Sequence, residues 1–192
     1  MTEVDSLHLV LAEFGDVRAY HRAEGDLGRS LTLHEVISVE FATVKTPLPT
    51  VVDWVVRNVR VRPGFHELVE RFRPLIVSSG FHELIEPVLA REGVEAELYA
   101  NRLDPRPDGW RVLWRDETVC AVCGEACKRS TLPAGGEIVY VGDGYSDRCA
   151  ALAADRVFAT DGLAAYLDGQ AVAYEPFGDL RDVTAALGAP AG

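Results

Sequence analysis

Two short apolar runs constrain this chain more than any other feature in it. One lies in PLIVSSG, residues 74–80, and the other in EIVYVGDGYSD, residues 137–147; each stops abruptly in a polar, glycine-containing turn. Runs of this length, bounded by turn residues and followed by helical patterns, read as strands buried on both faces, the kind found in parallel sheets. From Pro63 onward the same alternation continues. PGFHELVERFR puts Phe65, Leu68, Val69 and Phe72 on one helical face, and FHELIEPVLAREG puts Phe81, Leu84, Ile85, Val88 and Leu89 on one stripe. Pro87 is expected to kink that helix or delay its start. ELYANRLDPRPDGWRVLW predicts two strands around the Asp108-Gly109 turn. RVFAT and AVAYEPF read as further strands, with helices near 147–154 and 163–167 and at the C-terminal end. This pattern predicts an α/β fold with an open, mostly parallel sheet flanked by helices. Ligands bind such sheets beyond the carboxyl ends of the strands, where Ser78 and Asp143 stand.

The first sixty residues read differently. Val4, Leu7, Leu11 and Phe14 follow one another at helical spacing, and Thr2 with Asp5 forms a reciprocal helix start. Further helical patterns run through 31–44 and 50–59, separated by TPLP. They predict a helical bundle or cap. There is no internal repeat, and low-complexity sequence is confined to LGAPAG at the end.

At 192 residues with 48% apolar content, the chain can bury a substantial core, and no segment approaches the length of a membrane span. Its N-terminus lacks the basic region and apolar core of a secretory leader, so a cytoplasmic location is expected. A net charge of −11 excludes non-specific binding to nucleic acid or to anionic membranes, because no basic stripe exists to neutralise phosphates. An anionic substrate would need a locally positive pocket, which a divalent metal and one or two lysines can supply.

Four cysteines occur, and Cys120, Cys123 and Cys127 form a C-x2-C-x3-C cluster, three quarters of a zinc site. Neither histidine nor cysteine stands at the usual spacing for a second pair. With Cys149, they are expected to be reduced free thiols.

Asp143 lies between two glycines that let the backbone leave its strand sharply, and Asp147 falls in the first turn of the next helix. Two carboxylates at a tight turn suit a hard cation with oxygen ligands, such as Mg²⁺. By themselves they are equally a helix cap and a favourable charge at a helix N-terminus. Ser78, Ser79 and Gly80 close a strand where hydroxyl and N–H groups can hold a phosphate, although a serine there is also a common cap. Lys128, alone, would be an ordinary surface charge. A nucleotide-binding reading of GDG fails, because the G-x-G-x-x-G turn is missing.

Taken in order, strand–Ser–Gly, Lys, then strand–Gly-Asp-Gly-x-x-Asp resembles motifs II, III and IV of the haloacid dehalogenase superfamily of phosphatases. IVSSGF is similar to that family's V-S-G-G-F segment, YANRL to its F-A-N-R-L, and CGEACKRS to a C-G-x-C-K segment. The likeness covers residues 60–165 and is nearest to the phosphoserine phosphatases and the methionine-salvage diketo-methylthiopentyl-phosphate phosphatases. The resemblance implies a Rossmann-like core over residues 61–192, with a helical cap over residues 1–60 that sets substrate identity. Ser78, with Ser79 and Gly80, would bind phosphoryl oxygens of a small phosphorylated metabolite. Lys128 would neutralise nucleophile and phosphate, Asp143 would be a Mg²⁺ ligand, and Asp147 would support the metal shell or orient Lys128. His21, Arg22, Arg29 and Trp54 are cap candidates, each with a surface or packing role as the simpler account.

One part of the family pattern is absent. Motif I, an apolar strand ending in D-x-D-G-[ST], supplies the nucleophile, the general acid/base and the central strand of the sheet; the chain contains no D-x-D. Family members continue T-x-x-D after that motif, and this chain opens MTEVD, which aligns Asp5 with a substrate-contacting acid. The expectation is a start five or more residues too late, a missing central strand and no turnover by these 192 residues alone; a natural pseudo-enzyme that binds a phosphorylated ligand or a protein is the rival. Losing a central strand leaves unpaired edges, at a cost large beside a stability of roughly 5–15 kcal/mol.

Overall fold

In a computed structural model describing residues 1–188, the chain forms two units; Ala189–Gly192, the end of the expected low-complexity tail, lies outside the described residues. The first unit comprises Met1–Val61 and Leu75–Glu117. It holds helices α1 (Ser6–Phe14), α2 (Val17–Asp26), α3 (Leu33–Phe41), α4 (Leu48–Asn58) and α6 (His82–Arg91), with strands β1 (Ile76–Phe81), β2 (Leu98–Asp104) and β3 (Arg111–Leu113). The second comprises Arg62–Pro74 and the chain from Thr118 onward. It holds α5 (Phe65–Phe72), β4 (Val139–Gly142), α7 (Arg148–Ala151), β5 (Arg156–Ala159), α8 (Asp161–Gly169), β6 (Glu175–Pro176) and α9 (Leu180–Gly188). None of the described helices is long and apolar enough to cross a membrane.

The described strands form two three-stranded sheets, one in each unit, ordered β1-β2-β3 and β4-β5-β6. β1 runs parallel to β2, and β2 pairs antiparallel with β3 as the predicted hairpin. β4, β5 and β6 are all parallel. Within the described residues, β1 and β4 are each hydrogen-bonded to a strand on one side only.

In the first unit, α1 starts on Asp5, whose Oδ1 accepts from the Leu7 and His8 N–H groups at 2.8 and 3.4 Å. Thr2 is not the cap; it forms a β-bridge to Val61. The reciprocal capping box occurs instead at α3, between Thr32 and Glu35. Val10, Leu11, Ile37, Phe41, Val51, Val55, Phe81 and Trp110 pack into one core. The helices of the first sixty residues therefore share their core with β1 and the hairpin. Phe81, expected on the helical stripe, ends β1 and is fully buried. Helix α6 begins directly after it and passes through Pro87, forgoing one intrahelical bond. Gly109 answers to a specific need: at φ +137° its Cβ position would lie 2.1 Å from the Ala42 carbonyl oxygen. That close approach lets Trp110 bury its ring and donate its indole N–H to Thr46 O at 3.1 Å.

The second unit has its own core of Tyr140, Ala150, Ala151, Val157, Ala159, Leu163 and Leu167. The buried Ala150 and Ala151 of α7 allow it to lie close on β4.

Candidate active site

The carboxyl end of β4 carries a polar network centred on Asp147. Asp147 stands in a 3-10 turn (Tyr145–Asp147) just ahead of α7, with a side chain only 6% exposed. Four donors converge on its carboxylate. Lys128 Nζ and Tyr140 Oη donate to Oδ1 at 2.7 and 2.8 Å, and the Asp143 and Gly144 N–H groups donate to Oδ2, each at 3.0 Å. Burial alone would raise this carboxyl's pKa; the Lys128 ammonium and the converging hydrogen bonds outweigh it and hold the group below the usual carboxylate range. Burial, then the neighbouring Asp147 charge, pushes the Tyr140 hydroxyl up, so it remains a donor.

Gly142 makes this packing possible. A Cβ there would sit 2.8 Å from both Cβ and Cγ of Asp147 and 2.9 Å from Leu163 Cδ2. Its glycine is required by space, not by a sharp turn. Gly144, by contrast, has φ −133° and open space around it, so its contribution is its N–H. Gly142→Ala is accordingly expected to cost about 1–3 kcal/mol, read as a lowered urea midpoint, whereas Gly144→Ala leaves the midpoint unchanged. Equal midpoints for the two variants would contradict this packing.

Asp143 differs from its neighbour. Its side chain is 44% exposed and accepts from Arg62 Nη2 at 3.0 Å. The same nitrogen lies 3.4 Å from Asp161 Oδ2 at the start of α8. Two exposed carboxylates thus converge on one cationic group. Hard carboxylate oxygens at a strand end are the donor type Mg²⁺ takes, and here they face Arg62. Asp147, saturated by four donors, fits the role of orienting Lys128. Arg62, Tyr140 and Asp161 were not singled out by sequence; the signal for Arg62 and Asp161 is their position flanking segments that end at the sheet's rim.

In the first unit, the ladder between β1 and β2 slips between Val77 and Phe81, across Ser78, Ser79 and Gly80. Ser78 Oγ accepts from the Gly80 N–H at 3.0 Å, so it shapes this irregularity within β1 and does not cap α6. Asn101 Nδ2 donates to Ser79 O at 2.9 Å, and its Oδ1 accepts from the Arg115 N–H at 3.1 Å, pinning the bulged end of β1 from β2. Leu7, two residues after the exposed Asp5, packs against Gly80. Of the cap candidates, Trp54 stacks edge-on against Phe14 and His21 against Tyr20, which are packing roles.

The family model of haloacid dehalogenase-like hydrolases matches residues 29–152. The chain belongs to this family. Among relatives, the 2-hydroxy-3-keto-5-methylthiopentenyl-1-phosphate phosphatase of Bacillus cereus is 24% identical, over 97% of this chain and 91% of its own length. The protein of the same description from Bacillus thuringiensis is 23% identical over the same shares. In fold, the chain is similar to a phosphoserine phosphatase from T. onnurineus, with a TM-score of 0.61 and 20% identity over 88% of this chain and 80% of that one. The family match makes the chain a haloacid dehalogenase-like hydrolase, and the likeness to the solved structure shows the same fold.

Proposed function

We propose that this protein is a Mg²⁺-dependent phosphomonoester hydrolase that acts on a small phosphorylated metabolite through a phospho-aspartate intermediate. The observation that carries the reading is the part-buried Lys128–Asp147 pair, 2.7 Å apart, with Asp143 four residues ahead of Asp147 on the same strand end. A part-buried ammonium fixed by a carboxylate that is itself held by three further donors is positioned, not adaptable, and that is what charge stabilisation of a phosphoryl group requires.

Lys128 neutralises the charge that nucleophile and phosphate bring together, and Asp147 holds it in place. Ser78, with the N–H groups of its turn, binds phosphoryl oxygens, and Asp5 contacts the substrate. Mg²⁺ held by Asp143 supplies charge neutralisation and orients the phosphate. The attacking aspartate belongs to a D-x-D-G-[ST] segment, a pattern these 192 residues do not contain; it displaces the alcohol from phosphorus, and water then hydrolyses the acyl-phosphate to regenerate the carboxylate. The helices of residues 1–60 act as the cap that sets substrate identity.

In a chain carrying that segment, hydrolysis of a generic phosphomonoester is expected to require Mg²⁺, to stop with a chelator and to fall by at least about 100-fold in Asp143→Asn, since a metal ligand is lost. Chelator-resistant hydrolysis that survives Asp143→Asn would overturn the assignment.

A further inference from the structure

The second unit contains a feature that phosphoryl transfer does not use. Sequence spacing supplies three cysteines and no fourth ligand; the fold supplies the fourth from α7. The Sγ atoms of Cys120, Cys123, Cys127 and Cys149 all lie within 4.8 Å of one another, and none is in a disulfide. We propose that these four thiols are a structural zinc site, closed by four sulfur ligands and separate from the Mg²⁺ position at Asp143.

The dimensions favour a single metal ion. Four sulfurs at about 2.3 Å from a tetrahedral zinc are about 3.8 Å apart, and Cys120 Sγ lies 3.8 Å from Cys149 Sγ. The turn C-A-V-C-G is shaped for the purpose. Gly124, at φ +76°, donates its N–H to Cys120 O at 2.9 Å, which folds Cys123 back toward Cys120. Backbone N–H groups of Val122 and Cys123 point at Cys120 Sγ, and that of Arg129 at Cys127 Sγ. Such donors stabilise thiolates and orient metal ligands. The cysteines range from buried (Cys149) to exposed (Cys123), so the cluster is not simply four small residues filling a core.

On binding, four S–H bonds break, four Zn–S bonds form and four protons pass to solvent. The metal would join the segment carrying Lys128, next to Cys127, to the turn carrying Asp147, two residues before Cys149. It is thereby a brace for the ion pair, yet its existence does not depend on the phosphatase reading.

The test is metal content of the full chain purified under reducing conditions, together with cobalt substitution. The expected result is about one zinc per chain, and, with Co²⁺, the intense visible bands of tetrahedral tetrathiolate coordination. Cys123→Ser is the discriminating variant, because an exposed thiol without a metal is dispensable to folding. It is expected to lower zinc affinity by at least about 100-fold and to lose the tetrathiolate spectrum while the apo-protein's circular dichroism is unchanged. Substoichiometric zinc with no such bands, disulfides formed among the four cysteines in their place, or a Cys123→Ser protein that binds zinc as tightly as the parent would each overturn the site.

Discussion

Lys128→Met is expected to lower stability by about 3–5 kcal/mol, measured as urea midpoint at unchanged slope. The substitution keeps the aliphatic stem and removes the ammonium, leaving the Asp147 carboxylate at 6% exposure with a charge and no counterion. Tyr140 and two backbone N–H groups remain, but they satisfy oxygens without neutralising them. The loss is large because desolvation of a lone carboxylate is expensive in a low-dielectric interior. Adding Asp147→Asn removes the stranded charge, so the double variant recovers part of the loss, and the two changes are non-additive. A Lys128→Met protein within about 1 kcal/mol of the parent would show that the pair behaves as a solvated surface contact.

The second large effect concerns Glu40, near the end of α3 and 4% exposed. Among the described residues its Oε1 has no hydrogen-bond partner. Burial, then the charges of Glu24 and Asp5, pushes its pKa from 4.5 up to about 8. The folded state therefore retains a proton that the unfolded chain releases near pH 4.5. The sign follows: this stability is fully present below the unfolded value and is lost as pH rises through about 8. Between pH 5 and pH 8.5 the loss attributable to this one group is about 4 kcal/mol. Glu40→Gln, neutral throughout, is expected to match the parent near pH 5 and to exceed it progressively toward pH 8.5. Parallel stability–pH curves for the two proteins would contradict an isolated buried carboxyl at this position.

These two residues mark what sequence reading did and did not reach. Lys128 and Asp147 were legible because motif order places them after particular strands, and the structure brings them within hydrogen-bond distance. Glu40 was not legible: it sits in a helical pattern where an acid normally faces water, and only tertiary packing buries it. The fold class followed from strand–helix alternation, and the hairpin from Asp108-Gly109. The assignment of the reciprocal cap to Thr2 failed because Asp5 alone satisfies the first N–H groups of α1, which leaves Thr2 to bridge Val61. Cys149 went unrecognised as a partner of the cysteine cluster for a simple reason. Ligand spacing is a local signal, and a residue 22 positions beyond Cys127 is delivered by α7, not by a short loop.

The proposal that Lys128, Asp143 and Asp147 form the charge-stabilising part of a phosphatase site is tested most directly by phosphomonoester hydrolysis with Mg²⁺. The comparison is between the 192 residues, which contain no D-x-D, and the same residues preceded by an apolar strand ending in D-x-D-G-[ST]. The expected result is turnover with that segment and none without it. Equal activity in both would contradict the proposal.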